Sequence, residues 1–277
     1  MEFIDTLQII FIFCDFMSQI SLISTCTYYR NNLHIIDLFN IDKKYLQKLN
    51  QDILHLSIFE KVKYLDACPN QKITRVSHMK FLEILDTDEI DQEGIEGLNL
   101  IELYASDNSK ITNVSHMKSL QKLDASGRNC GINQQGTEGL NLIELDVIDN
   151  SKITNVSHMK SLQILHACGD CGIDQKEIEG LNLIQLDASY NSKITNVSHM
   201  KSLQILYASG DCGINQQGIE GLNLIELDAS HNSKITNVSH MKSLQILNAY
   251  GKCGINQEGI EGLNLIELNA SNNSKIN

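Results

Sequence analysis

The chain has 277 residues, with 22 lysines and arginines against 34 aspartates and glutamates, which gives a formal net charge of −12. Because 42% of the residues are hydrophobic and 20% are charged, the chain is too apolar for a disordered protein and long enough to bury a sizeable core. The acidic balance excludes nucleic acid as a generic partner, because phosphate binding requires a basic stripe.

The first 45 residues precede any repeat, and their apolar spacing predicts amphipathic helices. The apolar run from Ile9 to Cys14 ends at Asp15, far short of the about 20 residues that a membrane span needs. No lysine or arginine precedes Arg30, so a secretory signal with a positive start is not expected. We therefore expect no membrane segment, a cytoplasmic location and reduced thiols for the eight cysteines.

From about residue 60 the chain repeats itself. The phrase NSKITNVSHMKSLQ occurs four times, and LNLIEL or LNLIQL recurs five times, mostly at intervals of 41 residues. Each 41-residue unit divides into two frames of the form L-x-x-L-x-A-x-x-N. Frames begin at Val62, Leu82, Leu100, Leu120, Leu142, Leu162, Leu183, Leu203, Leu224, Leu244 and Leu265.

This frame resembles the leucine-rich repeat in both period and pattern. The resemblance implies an α/β fold over residues 46–277, a right-handed solenoid of about 11 short parallel strands with a mostly non-helical or short-helix convex side. Residues 1–45 form a helical segment and N-terminal cap. We expect the buried frame asparagines to hydrogen-bond the turn backbone of adjacent coils. The near-identical Lys-, Asn- and Ile-rich units also resemble leucine-rich-repeat proteins of amoeba-infecting giant viruses.

The two half-units differ in the segment that returns from one strand to the next. K-I-T-N-V-S-H-M carries no helix signal and predicts an extended or 3₁₀ path. In C-G-I-N-Q-Q-G-I-E-G-L, Asn215 or its equivalent Asp174 can cap a short helical turn. This half resembles the cysteine-containing repeats of F-box proteins, although its coils are shorter than that family's.

Two columns of repeated residues invite a metal or disulfide interpretation that the spacing excludes. Members of a column lie two coils apart, about 10 Å, whereas a disulfide needs Cα atoms within about 7 Å and zinc needs ligands about 2.3 Å from one ion. The columns are Cys130, Cys171, Cys212 and Cys253, and His78, His116, His158, His199 and His240.

Enzyme activity is not expected, because every candidate nucleophile recurs in several coils and an active site needs one unique constellation. We predict no catalytic residue, no metal site and no cofactor. The Cys168–Cys171 pair lacks the βαβ context of a redox motif. The four N-V-S sequences are interpreted as repeat residues in a protein without an export signal.

Strand residues that flank the inward Leu and Ala are expected on the concave surface, which solenoids use for binding. An acidic ladder interrupted by Tyr, His and Ile suits a basic protein segment. The alternative is that Asp belongs to the duplicated unit and stays solvated. The candidate partner-binding residues are Tyr104, Asp124, Asp146, His166, Asp187, Tyr207 and Asp228.

The N-terminal sequence DTLQIIFIFCDFMSQISLISTCTYYRNNL resembles an F-box, a helical motif that binds the adaptor Skp1 in cullin ubiquitin ligases. Phe3 replaces the early proline of that motif, and Tyr29 replaces its tryptophan. The resemblance implies a Skp1-like adaptor as partner; the alternative is that these helices only cap the solenoid. The adaptor-binding candidates are Leu7, Ile10, Phe11, Phe13, Ile20, Ile23 and Tyr29.

We therefore predict a protein-binding adaptor, an F-box substrate receptor of an SCF-type ubiquitin ligase that binds its substrate with the concave face. The alternative is a leucine-rich-repeat interaction or scaffold module with no ubiquitin link. A viral protein would act in the host cytoplasm. The sequence stops at Asn277 in mid-repeat, which predicts fraying or self-association at that end, or an array truncated in its gene.

Overall fold

The computed structural model describes residues 8, 11, 14–25, 27–39, 41–68 and 70–277. Short helices come first within this part of the chain. They are α1 (Phe16–Thr25), α2 (Thr27–Asn32), α3 (Lys43–Leu46) and α4 (Gln51–Leu54). A 3₁₀ turn at Ser57–Phe59 leads into the repeats.

The strands are two or three residues long and all run parallel. They are β1 (Asp37–Leu38), β2 (Tyr64–Asp66), β3 (Ile84–Asp86), β4 (Glu102–Tyr104), β5 (Lys122–Asp124), β6 (Glu144–Asp146), β7 (Ile164–His166), β8 (Gln185–Asp187), β9 (Ile205–Tyr207), β10 (Glu226–Asp228), β11 (Ile246–Asn248) and β12 (Glu267–Asn269).

These strands form one 12-stranded sheet in chain order, in which each strand from β2 to β11 pairs with the strand before and the strand after. This confirms the leucine-rich-repeat solenoid, since β2 to β12 correspond one to one with the predicted frames. The additional strand, β1, lies within the 45 residues predicted to be helical and pairs with β2. The sheet therefore begins before the predicted boundary at residue 46.

The core is a stack of equivalent side chains, one column per frame position, in which only a few members differ, such as Thr87 and Val147. The middle Leu of each strand points inward, and from Leu65 to Leu247 it is at most 1% exposed. Ile, Val and Met of the phrase ITNVSHM, and the column cysteines, fill the opposite side of the same core. Each coil buries its apolar side chains only against the coils next to it. Coils of nearly the same sequence can therefore stack one after another in the same way.

The return segments follow the predicted division into two types. The KITNVSHM segments contain no helix, whereas the other type forms 3₁₀ turns at Glu93–Ile95, Gln135–Thr137, Gln217–Ile219 and Glu258–Ile260. One coil instead forms helix α5 (Gln175–Ile178), whose N-cap Asp174 accepts a hydrogen bond from Lys176 N. The predicted capping role of Asp174 is confirmed.

The last strand, β12, is paired on one side only. Leu268 is 43% exposed and Ile266 is 73% exposed, whereas Leu247 in the preceding strand is 1% exposed. Fraying and self-association at this end stay predictions. No helix in the part of the chain that the structure describes is both long and apolar enough to cross a membrane.

Candidate functional site

The outward side of β2 to β12, here called the strand face, is built by the first and third residues of each strand. From β2 to β11 these residues are half-buried while the middle residue is buried. The alternation follows from the two-residue period of a strand, which sends successive side chains to opposite faces. The strand face corresponds to the predicted concave surface.

The seven predicted partner-binding residues lie side by side in one row. Each is the third residue of its strand, and the parallel register pairs each with the next across seven consecutive strands. Neighbouring strands lie about 4.8 Å apart, so the row forms a continuous strip. In order it reads Tyr104, Asp124, Asp146, His166, Asp187, Tyr207 and Asp228.

The aspartates of this row also stabilise the turn that follows each strand. Oδ1 of Asp146 accepts a hydrogen bond from Ile148 N at 2.9 Å, and Oδ1 of Asp187 accepts one from Ser189 N at 2.8 Å. Asp124 and Asp228 make the same contact two residues on. One carboxylate oxygen is thus used locally; in Asp228 the second oxygen also accepts a hydrogen bond, from Asn248 Nδ2 at 3.1 Å.

The two tyrosines donate hydrogen bonds to carboxylates on the same face. Tyr104 Oη donates to Glu102 at 2.8 Å, and Tyr207 Oη donates to Glu226 at 3.0 Å. Burial, together with the Glu226 carboxylate, raises the pKa of Tyr207 to about 12. Both phenols therefore remain protonated at neutral pH and present aromatic area among acids.

Crowding of half-buried carboxyls makes the strand face strongly acidic. Burial raises the pKa of Asp146 to about 6, with a further contribution from Asp124. Burial also raises the pKa of Asp66 and of Asp86. The cation Lys122 is held in an ion pair with Glu144 at 2.7 Å. A cationic ligand would reduce the electrostatic repulsion between these carboxylates.

The first residue of each strand forms a second, parallel row on the same face. Here carboxylates and amides alternate with isoleucines, as in Ile164, Gln185, Ile205 and Glu226. The strand face therefore offers apolar contact area beside its acidic strip, which favours a protein segment over a simple ion.

Differences between the repeated units lie on the strand face, in the turns that follow the strands and in one type of return turn. Four copies of NSKITNVSHMKSLQ are identical, although Asn113, Lys118 and Ser119 within it are exposed. An exposed position therefore does not necessarily differ in sequence between the units. The third strand residue, in contrast, is Asp, Tyr, His or Asn in different coils, and the remaining differences lie mainly in the following turn and in the return turns equivalent to residues 133–137.

The turn after the strand carries a second variable position, which the sequence reasoning missed. Asp107, Asp149, Tyr190 and His231 occupy equivalent positions and all have positive φ, between 52° and 58°. Left-handed backbone is costly for residues other than glycine, asparagine and aspartate. Tyr190 and His231 are therefore strained. This variable position extends the candidate binding surface, and comparing the copies with one another could have revealed it.

One group of metal-ligand type exists among the described residues: Asp66, Cys68 and Asp86, whose ligand atoms lie within 4.8 Å of one another. The Cys68 thiol donates to Asp86 at 3.0 Å, and burial strongly raises the pKa of Cys68. The thiol is thus protonated. The sequence reasoning missed this group because its members come from two coils.

The cysteine column consists of buried thiols that bond to backbone oxygen. Cys171 and Cys212 donate to Ala167 and Ala208 at 3.1 Å, and burial raises the pKa of Cys130 to about 11. The described cysteines are free of disulfides. Their position explains their repetition, since each fills the core.

The adaptor-binding candidates are placed only in part. Leu7, Ile10 and Phe13 lie outside the described residues. Phe11 and Ile23 are buried, at 1% and 3% exposure, and Ile20 and Tyr29 are partly buried against the same core. The four described candidates thus help to cover the first coils of the solenoid. Among the described residues of this segment, the most exposed large apolar side chains are Met17 and Tyr28, at 48% and 54%.

No protein-family model matches the chain, and no curated protein sequence matches it. Among solved structures, an internalin (inlF) from Listeria monocytogenes is similar with a TM-score of 0.50 and 20% identity, over 83% of this chain and 70% of the internalin chain. This likeness supports the leucine-rich-repeat fold and carries no function.

Two further solved structures are more distant. A TLR13–ssRNA13 complex has a TM-score of 0.46 and 18% identity, over 87% of this chain and 39% of that chain. The functional domain of InlJ from Listeria monocytogenes, described as including a cysteine ladder, has a TM-score of 0.40 and 21% identity, over 89% of this chain and 55% of that chain. This chain spans less than two thirds of either.

Proposed function

We propose that this leucine-rich-repeat solenoid is a protein-interaction module that binds a basic protein segment on its strand face. The observation that carries the proposal is the distribution of differences between copies. The exposed residues of NSKITNVSHMKSLQ are identical in its four copies, while the third strand residue changes from coil to coil. Side chains that vary on an otherwise uniform scaffold are those that recognise a non-repetitive ligand.

The chemistry of the strand face supports a basic partner. Carboxylates recur along both rows, and burial together with the neighbouring Asp124 carboxylate raises the pKa of Asp146. Lysine or arginine side chains of a ligand would replace this repulsion by attraction and would accelerate association. Tyr104, Tyr207 and Ile205 supply the apolar and aromatic contacts that interfaces need.

Peptide selection tests this proposal directly. The intact protein is used to select from a random 12-residue peptide library, and the affinity of the selected peptides is measured by fluorescence anisotropy. We expect enrichment in Lys and Arg, and at least tenfold weaker binding to the variant Asp124→Asn, Asp146→Asn, Asp187→Asn.

The matched control removes the same number of charges elsewhere. Glu138→Gln, Glu179→Gln and Glu220→Gln change exposed carboxylates of the return turns, and this variant should bind the peptides as the unmodified protein does. Selection without basic enrichment, or equal losses in the two variants, would contradict the proposal.

The narrower function, an F-box substrate receptor, rests on the resemblance of residues 5–33 and stays a prediction. Cytoplasmic location, in the host for a viral protein, is proposed on the same basis. Support for an adaptor surface comes from Met17 in helix α1 and Tyr28 in helix α2, whose apolar side chains are exposed.

Co-purification with a Skp1-like adaptor tests this narrower function. Tyr28→Ser should abolish adaptor binding without unfolding the chain, because Tyr28 is 54% exposed. Ile23→Ser is the control for cap stability, since Ile23 is buried and its loss should lower the melting temperature. If the intact protein fails to bind the adaptor, the F-box function is wrong, while the strand-face proposal is unaffected.

A further inference from the structure

A second surface lies along the edge at which the strands begin. A groove of about 1300 Å³ extends from Lys80 to Asn223 and therefore crosses the coils of β3 to β9. Its volume exceeds the about 300–1,000 Å³ typical of small-molecule pockets. Its lining repeats from coil to coil and, unlike the strand face, changes little between units. Besides Leu, Gln and Ile, it includes Lys118, Lys160, Lys201, Asn141, Asn182, Ser161 and Ser202.

The groove presents hydrogen-bond donors. In each unit an asparagine Nδ2 donates to a serine Oγ, at 2.8 Å for Asn141 and Ser161 and at 2.9 Å for Asn182 and Ser202. The serine hydroxyl accepts this bond, so its own hydrogen remains for a ligand, as does the second hydrogen of the amide. Ser161 N donates a hydrogen bond to Oδ1 of Asn141 at 3.0 Å. The asparagine–serine pair therefore offers few free hydrogen-bond acceptors.

A row of lysines adds positive charge to these donors. Lys118, Lys160 and Lys201 are exposed and form no ion pair with described residues. Each ammonium group lies over a return-turn glycine: a Cβ built on Gly139 would be 3.4 Å from Lys118 Nζ, and one on Gly221 would be 3.4 Å from Lys201 Nζ.

The nearby carboxylates open to other cavities. Glu96, which precedes Gly97, lines a cavity with His116, and Glu138, which precedes Gly139, lines another with His158. Glu83, at the first end of the groove, is paired with Lys63. The positive charges of these lysines are thus not neutralised by direct contact with a carboxylate. The groove is complementary to an anionic ligand that carries many hydrogen-bond acceptors.

The distance between equivalent lysines indicates the backbone conformation of that ligand. Equivalent lysines lie two coils apart, about 9.4–9.8 Å. A polypeptide in the polyproline II conformation has three residues per turn and a rise of about 3.1 Å, so every third side chain returns to the same side after about 9.3 Å. A β-strand returns a side chain to the same side after about 6.6–6.8 Å instead.

We propose that this groove binds an extended acidic polypeptide in the polyproline II conformation, with a carboxylate at every third residue facing the lysine row. Each carboxylate accepts from one lysine, and the serine and asparagine donors bond the peptide carbonyls. The identical lining suits a ligand that is itself repetitive, whereas the variable strand face suits a unique one. The two surfaces are separate and can be tested separately.

Fluorescence anisotropy with labelled peptides tests the proposal on the full chain. The probe contains four Glu-Pro-Pro units, and the comparison peptide contains four Glu-Pro units, which keep the charge and change the period. We expect the three-residue period to bind at least fivefold more tightly, and binding to weaken as NaCl is raised. Equal affinity of the two peptides, or no binding of the first at 1 mM, would overturn the proposal.

Charge variants locate the binding surface. Because an exposed ion pair contributes a factor of about two to five in affinity, Lys118→Met, Lys160→Met and Lys201→Met together should weaken binding at least about eightfold. Lys61→Met, Lys176→Met and Lys252→Met remove the same charge outside the groove and should change affinity less than twofold. Equal losses, or tighter binding of a 12-nucleotide single-stranded DNA, would also refute an acidic polypeptide as ligand.

Discussion

At the scale of single residues, the solenoid depends on a ladder of buried asparagines. Asn191 donates from Nδ2 to Ala167 O at 2.9 Å and Ile173 O at 3.1 Å, and its Oδ1 accepts from Lys193 N at 3.0 Å. Every second coil repeats the arrangement, from Asn70 to Asn273. The predicted structural role is confirmed: one side chain satisfies backbone groups of two successive coils.

Replacing one member of this ladder should be costly. Asn191→Ala leaves two buried carbonyls without donors, so we expect the free energy of unfolding to fall by about 2–4 kcal/mol. Asn196→Ala, which changes an exposed asparagine of the same coil, should cost at most about 1 kcal/mol. Urea unfolding followed by circular dichroism measures both. A similar loss for the two variants would count against the ladder.

The crowded strand-face carboxyls make stability depend on pH. The pKa of Asp146 is about 6 in the folded chain and about 3.9 in an unfolded one, so the folded state binds this proton more tightly. Its stabilising contribution is complete below about pH 4 and is lost as pH rises through 6. Asp66 and Asp86 shift in the same direction.

Asp146→Asn should therefore stabilise the chain at pH 7.5 and have little effect at pH 4.5. Because Asp146 is only partly buried, we expect about 1–2 kcal/mol. Asparagine keeps the oxygen that accepts from Ile148 N. Unfolding free energies at the two pH values measure the difference, with exposed Asp211→Asn as control. Equal effects at both pH values would disprove the pH linkage.

At the scale of elements, a single glycine decides the form of the return turn. In the coil of Gly218 the turn is 3₁₀ and approaches the preceding coil closely, so that Val197 N donates to Gly218 O at 2.9 Å. A Cβ on Gly218 would overlap Thr195 O. The equivalent residue in another coil is Glu177, and there the segment forms helix α5 instead. The space available for a side chain at this position thus decides whether the return segment forms a 3₁₀ turn or a short α-helix.

A substitution by alanine at these two equivalent positions should have very different effects on stability. Gly218→Ala must move the turn away from Thr195 and break the bond from Val197, so we expect a loss of about 1–3 kcal/mol. Glu177→Ala enters a turn that already accommodates a side chain and should change stability by less than about 0.5 kcal/mol. Thermal unfolding of both variants gives the comparison. Equal losses would show that the glycine is not required.

At the scale of the whole molecule, the chain is a one-dimensional stack with differently charged surfaces. Acid is concentrated on the strand face, and a row of lysines follows the edge where the strands begin. Since each strand pairs only with its neighbours in the sequence, stability is a sum of coil and nearest-neighbour contributions. The unit of the array is two coils, because the asparagine ladder alternates with the cysteine column.

Removal of a complete unit should therefore preserve the fold. Deletion of residues 140–180 joins Gly139 to Leu181 and restores the same kinds of neighbour, so we expect cooperative unfolding with a midpoint lower by a few degrees. Deletion of residues 142–161 removes Asn150, which donates to Ala125 O and Ile132 O. This one-coil deletion should destabilise the chain more, despite being shorter. The opposite order would contradict the two-coil unit.

Much of this architecture was predictable, because in a solenoid each coil sees only neighbours with nearly the same sequence. The frame predicted β2 to β12, the inward leucines, the asparagine ladder and the row from Tyr104 to Asp228, which the structure brings into one register. The period of the sequence directly becomes the period of the structure. Whether that row binds a partner stays a prediction.

Tertiary packing alone decided the features in which side chains from separate coils meet. The sequence did not reveal β1 among residues expected to be helical, the burial of Phe11 and Ile23, the group of Asp66, Cys68 and Asp86, or the groove along the strand edge. Each depends on distances across the stack, which a linear pattern does not contain. The repeat therefore determined which residues face the core, and the stacking of coils determined which surface residues act together.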